Sequence, residues 1–485
     1  MNLKHSAVSG AIWRYFEQFS TEIISLVVSI VLARIISVEA YGLIATVNIF
    51  ITIANVFVTG GLGNALIQDP DADIRDFSTV LWANLGISLG IYLLLFFAAP
   101  WIGVFFEESQ LVSILRVLGI GIPISAVGSI QQAYVSKKMI FKKFFWASFG
   151  GTAASGAVGL WMAYAGFGVW ALVGQHLSNL LIDTIILAGV LRIRYVFTFS
   201  TDRFKKLVNF GGKLLIVNIA DVISANIRSL LIGKYYSQSD LALFNKAQQF
   251  PTLIMNNINS TITAVMFPMM AASQKDTQQM KNMMRRVIQT STFFVFPLLG
   301  GLLMVAEPFI TVLLTEKWVP CVPYMKIACL TNMMMPLQTA NLEIPKAMGR
   351  GDFVVKVNLY KKILFAVSLA VIPFGVWWIA VSLFVVSVFS LVINAWPNGE
   401  LIQYSLLQQL WDIRENIGAT LVMCAAVHVT GMLPVGPHLI LLLQICAGTV
   451  VYAILALTMR PPAVEFIFRT AGEWLAARRG NREEK

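Results

Sequence analysis

The sequence predicts an all-α, polytopic membrane protein of about fourteen transmembrane helices, built as two pseudo-symmetric six-helix lobes plus two extra C-terminal helices. Three observations predict it. Hydrophobic residues make up 57% of the 485 residues and charged residues 13%. Apolar runs of about 20 residues, enough to cross a hydrocarbon core of about 30 Å, follow one another along the chain. The second half repeats landmarks of the first. Soluble domains carry roughly 25% charged residues, and a single core stops growing near about 250–300 residues. The composition therefore argues against a water-soluble enzyme.

The formal net charge of +11 would suit nucleic acid only if gathered on a solvated face, and here the basic residues sit between apolar segments. Cys321, Cys329, Cys424 and Cys446 show no CxxC spacing, and His5, His176, His428 and His438 show no metal-ligand pattern, so neither metal nor cofactor is expected. The first apolar run contains Arg14, Glu17 and Glu22 and ends in no cleavage-like site, so it reads as a retained helix.

In chain order, the spans centre near Ile24, Ile51, Ile87, Ile122, Ala154, Leu180, Ile219, Met255, Leu298, Met333, Val367, Val386, Val422 and Ala447. Two apolar stretches exceed one span and must turn at Phe167-Gly168 and Phe374-Gly375, because glycine tolerates backbone angles other residues resist. Pro123, Pro251, Pro268, Pro297, Pro336 and Pro373 lie in or beside spans and permit bends. Every second loop is basic: Lys137, Lys138, Lys142 and Lys143, then Arg192 to Lys206, Lys275 to Arg286 and Lys346 to Lys362, then the tail from Arg460. Positive charge marks the cytoplasmic side, so both termini are expected in the cytoplasm. Leu401 to Ile413 and Phe466 to Leu475 read as interfacial segments.

The internal repeat follows an ordered series of matches. At a shift of 200, Leu32 meets Ile232, Arg34 meets Lys234, Leu43 meets Leu243 and Phe50 meets Phe250. At 208, Pro100 meets Pro308 and Lys138 meets Lys346; at 207, Phe167-Gly168-Val169-Trp170 recurs as Phe374-Gly375-Val376-Trp377. Six spans per copy is an even number, so the copies point the same way across the bilayer. The expected division is an N-lobe at 1–200, a C-lobe at 201–400, and a linker, two spans and a basic tail at 401–485.

Ionisable side chains cost roughly 2.5–3.5 kcal/mol at a span centre, so intramembrane polarity points to protein contacts or a wet cavity. On the first span Arg14, Gln18, Glu22, Ser25 and Ser29 recur on one helical face, with Glu17 beside them. Asn48, Thr52, Asn55 and Thr59 do so on the second, and Lys213, Asp221, Ser224 and Arg228 on the seventh. Asn245, Gln249, Thr252, Asn256 and Asn259 line the eighth, with Lys246 adjacent. A cavity between lobes is expected, with amides and hydroxyls for sugar and Arg14, Lys213, Arg228 and Lys246 for phosphate oxygens. Glu17, Glu22, Asp183 and Asp221 are candidates for ion coupling. The competing reading is helix packing, since such residues also hydrogen-bond across membrane helices.

Ala40-Tyr41-Gly42-Leu43, Gly61-Leu62-Gly63-Asn64-Ala65-Leu66-Ile67, Gly168-Val169-Trp170-Ala171-Leu172-Val173, Leu230-Leu231-Ile232-Gly233-Lys234, Phe244-Asn245-Lys246-Ala247 and Phe267-Pro268 together resemble the polysaccharide transporter family of lipid-linked oligosaccharide flippases. The resemblance spans roughly residues 1–460 and is closest to exporters of exopolysaccharide, colanic-acid-like or teichuronic-acid-like units. It implies alternating-access transfer of an undecaprenyl-diphosphate-linked oligosaccharide from inner to outer leaflet, with no covalent chemistry. Membrane lipids, and glycosyltransferases and a polymerase of the same pathway, are the implied partners. The rivals are a multidrug antiporter of the same superfamily and a membrane glycan polymerase or ligase.

Overall fold

The computed structural model describes residues 3–59, 61–69, 71–193, 195–197, 199–274 and 276–459. Among them are nineteen α-helices, two short 3-10 helices and no strand. Nine helical segments are long and apolar enough to cross a membrane, and they contain nine of the fourteen expected centres. The other five, Ala154, Ile219, Met255, Met333 and Val422, also lie on helices. This is a multi-pass membrane protein. The tail from Arg460, with its expected interfacial segment at 466–475, lies outside the described residues, as do Arg194 and Lys275.

The chain divides into two compact units, Met1–Ala242 and Leu243–Lys485. The first holds α1 (Leu3–Ile35), α2 (Val38–Thr59), α3 (Leu62–Gln68), α4 (Ile74–Phe105), α5 (Gln110–Gly119), α6 (Gly121–Lys138), α7 (Phe141–Tyr164), α8 (Val169–Leu191), α9 (Thr201–Tyr235) and the start of α10 (Gln238–Ala272). The second continues with α11 (Thr277–Met304), α12 (Ala306–Leu314), α13 (Val322–Met333), α14 (Met335–Ala347), α15 (Gly351–Ser368), α16 (Val376–Leu401), α17 (Leu406–Asp412), α18 (Arg414–Thr430) and α19 (Pro437–Met459), with 3-10 turns at Glu316–Cys321 and Leu369–Phe374.

In the first unit α1 packs on α7, while α9 packs on α2, α3 and α4. The crossing of α2 with the α9–α10 corner explains two glycines. A Cβ at Gly42 would meet the Gln238 backbone at 1.9 Å, and one at Gly233 would meet Thr46 Oγ1 and Leu241 at 3.2 Å. Across this contact Thr46 Oγ1 donates to Gln238 Oε1 at 2.8 Å, with both residues buried. At one end of the unit Lys234 donates to the Phe105 carbonyl at 2.6 Å and pairs with Glu107 at 3.1 Å, so it closes the C-terminus of α4.

Basic residues of the alternate loops act in the same way. Lys137 Nζ donates to the Leu66, Asp69 and Ala72 carbonyls at 3.3, 2.6 and 3.1 Å, closing the end of α3. Asp73 and Asp76 form a capping box at the start of α4, and Arg203 pairs with both at 3.2 and 2.5 Å.

The turns at the repeated tetrapeptide form as expected. Gly168 and Gly375 both adopt positive φ, +56° and +114°, immediately before α8 and α16. Two spans are broken: α5 gives way to α6 at Ile120, and α13 to α14 at Met334. Pro123 and Pro336 stand in the first turn of the second piece, where the missing N–H removes no helical bond.

In the second unit, the segment Leu401 to Ile413, read from sequence as interfacial, is part loop and part short helix. Its Ile402, Tyr404, Gln409 and Ile413 are buried, and only Leu406–Asp412 is helical. The reason is a closed amide network. Asn341 and Gln409 exchange two side-chain hydrogen bonds at 2.8 and 2.9 Å, and Asn398 Nδ2 donates to Asn341 Oδ1 at 2.7 Å. Tyr404 Oη donates to Asp412 at 2.8 Å, and Asp412 pairs with Arg285. Leu407, Leu410 and Trp411 remain exposed on the other side.

Candidate functional site

A polar site lies inside the first unit, and small residues create it. Gly151, Ser155 and Gly159 recur every four residues along α7 and face α8. A Cβ at Gly151 would sit 3.2 Å from Asp183 Cβ, and one at Gly159 would sit 2.8 Å from Gln175 Cβ. On the neighbouring α7 face a Cβ at Gly156 would lie 2.7 Å from Val28 of α1. Backbones approach this closely in membranes where small residues leave room, and dispersion then replaces the absent hydrophobic drive.

Where α7 and α8 face α1 and α2, a cavity of about 260 Å³ remains. Ser25, Asn48, Thr152, Ser155, Gln175, His176 and Asn179 supply polar side chains, and Ile44, Leu118 and Leu172 supply apolar surface. Asn179 Nδ2 donates to Ser155 Oγ at 3.1 Å, and Ser155 Oγ donates to the Thr152 carbonyl at 3.0 Å. Ser25, Asn48, Thr152, Gln175 and His176 make no side-chain hydrogen bond to protein among the described residues. Their donors and acceptors are free to meet a solute.

The two acids that line up beside this region are Glu17 and Asp183. Glu17 is buried on α1 and forms an ion pair with Arg14 at 3.2 Å. Asp183 on α8 is near enough for its carboxylate to feel the charge of Glu17, and its Oδ1 is buried without a hydrogen-bond partner. Two carboxylates from different helices thus share one side of the α1–α7–α8 cluster.

The other sequence-selected residues lie on α1, α2, α9 and α10. Arg14, half-exposed at its side chain, stacks over the Phe144 ring at 5.0 Å; Gln18 is exposed and donates to Glu22 at 3.2 Å. Asn48 lines the cavity, Thr52 is exposed, and Asn55 is half-buried with an Oδ1 that has no partner. On α9, Asp221 is exposed and Arg228 half-buried; Lys213 lies on the same helix, its side chain outside the described residues. On α10, Lys246 is 5% exposed and lies over the Trp318 ring at 5.6 Å. Asn259 accepts from Thr339 Oγ1 at 2.5 Å, Asn245 and Gln249 are half-buried, and Asn256 is exposed. Lys246 and Asn259 are therefore engaged in packing within the second unit.

Sequence reading missed Thr152, Ser155, Gln175 and Asn179. The signal was present: Gln175, Asn179 and Asp183 recur at intervals of four, the same helical face rule that picked out α1 and α2.

Known proteins share both sequence and fold with this chain. The teichuronic acid biosynthesis protein TuaB of Bacillus subtilis is 26% identical over 409 residues, covering 82% of this chain and 83% of that protein. The succinoglycan biosynthesis transport protein ExoT of Rhizobium meliloti is 24% identical, covering 70% and 69%. The lipopolysaccharide biosynthesis protein WzxC of Escherichia coli is 23% identical, covering 76% of each. Among solved structures, the lipid II flippase MurJ in an inward closed conformation superposes with a TM-score of 0.71 at 14% identity, covering 93% of this chain and 99% of that one. An inward-facing multidrug resistance MATE transporter superposes with a TM-score of 0.62 at 13% identity, covering 79% and 96%. These two likenesses establish the fold. A family model described as polysaccharide biosynthesis protein matches residues 31–323, more than half of the sequence, and the chain belongs to that family.

Proposed function

We propose that the protein is a flippase that moves undecaprenyl-diphosphate-linked oligosaccharide repeat units from the inner to the outer leaflet of the bacterial inner membrane, for exopolysaccharide, capsule or O-antigen synthesis. One observation carries this reading. In a helical membrane protein of the polysaccharide biosynthesis family, the α1 face from Arg14 through Gln18 and Glu22 leads to a neutral, hydrogen-bonding cavity at Ser25 and Asn48. That sequence of charges and amides suits a substrate with an anionic head and a polyhydroxyl body. The work is binding and release between two access states, with no bond made or broken.

In this reading Arg14, with Lys213 and Arg228, receives the diphosphate. Gln18, Asn48, Thr52, Asn55, Asn245, Gln249 and Asn256 meet sugar as the two lobes of the repeat rock. Glu17 and Asp183 form the ion-coupling pair, with Glu22 and Asp221 as outlying carboxylates. Both termini face the cytoplasm, as the alternate basic loops require. Glycosyltransferases and a polymerase of the same pathway deliver and consume the substrate.

The test is a deletion strain carrying plasmid-borne variants. Loss of the protein should leave lipid-linked repeat units facing inward, and Arg14→Ala should fail to restore export while the amount of folded protein stays at the wild-type level. Normal export by Arg14→Ala removes the headgroup assignment. Absence of inward-facing units in the deletion strain, combined with drug sensitivity, replaces the flippase reading with drug efflux.

A further inference from the structure

We propose that the cavity within the first unit is a sugar subsite that takes a single neutral sugar ring of the transported glycan, an assignment that rests on the flippase reading above. The cavity holds about 260 Å³, and five of its side chains, Ser25, Asn48, Thr152, Gln175 and His176, make no hydrogen bond to protein among the described residues. Polar side chains on membrane helices commonly find protein partners. Elsewhere in the protein hydroxyls do so: Ser78, Thr79, Ser178 and Thr292 each donate to a backbone carbonyl of their own helix at 2.6–2.8 Å. The cavity side chains depart from that pattern, and they converge.

Their chemistry selects the solute. Among the described residues no Asp, Glu, Lys or Arg lines the cavity, so its described lining offers nothing to balance a phosphate or a cationic drug. Amides supply two donors and an acceptor each, and hydroxyls supply both kinds, which matches a ring of hydroxyl groups that also donate and accept. Ile44, Leu118 and Leu172 supply the apolar surface on which the C–H face of a sugar ring rests. Ser25 lies eleven residues from Arg14 on one helix, about 16 Å along its axis at ~1.5 Å per residue. A headgroup held at Arg14 therefore places in the cavity a ring further along the glycan than the one bonded to the diphosphate. The walls come from α7 and α8, joined along the Gly151, Ser155 and Gly159 seam, so the subsite is preformed within one unit.

The experiment uses the full chain in lipid nanodiscs, with free glucose, galactose, N-acetylglucosamine and glucuronate as probes in saturation-transfer NMR. At least one neutral sugar should show transfer, and glucuronate the least. Gln175→Leu and the shape-conserving Thr152→Val should each weaken that sugar by about three- to tenfold, the effect of removing one hydrogen bond. Thermal melting confirms that each variant is folded, and Thr152→Val keeps the test open if Gln175→Leu is not. Arg14→Ala should lose export yet bind the free sugar as wild type does. Absence of transfer to every sugar, or equal transfer in wild type and both cavity variants, overturns the subsite. So does wild-type export by folded Gln175→Leu and Thr152→Val, a result that leaves the flippase reading intact. Failure of the flippase reading shows separately, as a deletion strain with no inward-facing lipid-linked units.

Discussion

Replacing Gly42 by Ala tests why a glycine stands in the Ala-Tyr-Gly-Leu stretch. The added Cβ would lie 1.9 Å from the Gln238 carbonyl oxygen, 2.5 Å from its carbon and 2.9 Å from its Cα, all backbone atoms with no rotamer to turn aside. Reaching the 3.4 Å of ordinary contact requires α2 and the start of α10 to part by about 1.5 Å, the difference of the two distances. That movement also breaks the buried bond from Thr46 to Gln238, which starts at 2.8 Å. Overpacking of this kind costs about 1–3 kcal/mol and a buried polar group left unpaired about 1–3 kcal/mol more, so Gly42→Ala should destabilise by roughly 2–6 kcal/mol. Gly63→Ala is the control, because its Cβ would meet only Ala133 Cβ at 3.9 Å. Thermal melting of both proteins in nanodiscs, followed by tryptophan fluorescence, reads the difference. A Gly42→Ala protein that melts with the wild-type midpoint would refute the close approach and with it this account of the motif.

Two further outcomes follow from polar groups away from the cavity. Asn341→Leu and Gln409→Leu should each destabilise the second unit by about 1–3 kcal/mol, and the double variant by clearly less than their sum, because each single change strands the other buried amide; additive melting shifts would mean the pair is not coupled. Tyr195 lies in the loop before α9 with its hydroxyl buried and unpartnered, and burial, aided by the nearby Tyr134, pushes its phenol up to about 12. Its neutral form is favoured in the folded state, so this contribution is complete below pH 10 and lost as pH rises from about 10 to 12. Tyr195→Phe should remove that part of the alkaline loss, and melting curves of both proteins that decline in parallel across pH 9–12 would count against it.

The spans were legible because hydrocarbon imposes their length and leaves only helices to satisfy the backbone. The turns at Gly168 and Gly375 were legible because the same four residues recur where an apolar run is too long. What periodicity does not encode is which polar atoms are already engaged. Lys246 and Arg14 looked alike in sequence, yet one lies under Trp318 and the other at a half-exposed helix face. Asn259 and Asn48 share a residue type, but a hydroxyl from α14 occupies the first. Lys137 counted as a loop charge and Lys234 as a repeat match to Arg34, and three carbonyls and one carbonyl respectively turn them into helix closures. Long-range pairing of this kind is set by tertiary contacts more than sixty residues apart in sequence, which local spacing does not report. The buried side of Leu401 to Ile413 was hidden for the same reason: the partners of Gln409 lie on α14 and in the preceding loop.

The glycine and serine seam between α7 and α8 fixes more than a contact. With the glycines of α7 lying against side-chain stems of α8, the spacing of those two rods is fixed, while Gln175 and His176 still project from that wall into the cavity. A bulkier residue at Gly151 or Gly159 would push the two rods apart and reset the breadth of the hollow beside them, a lever on guest size that acts without touching the polar lining.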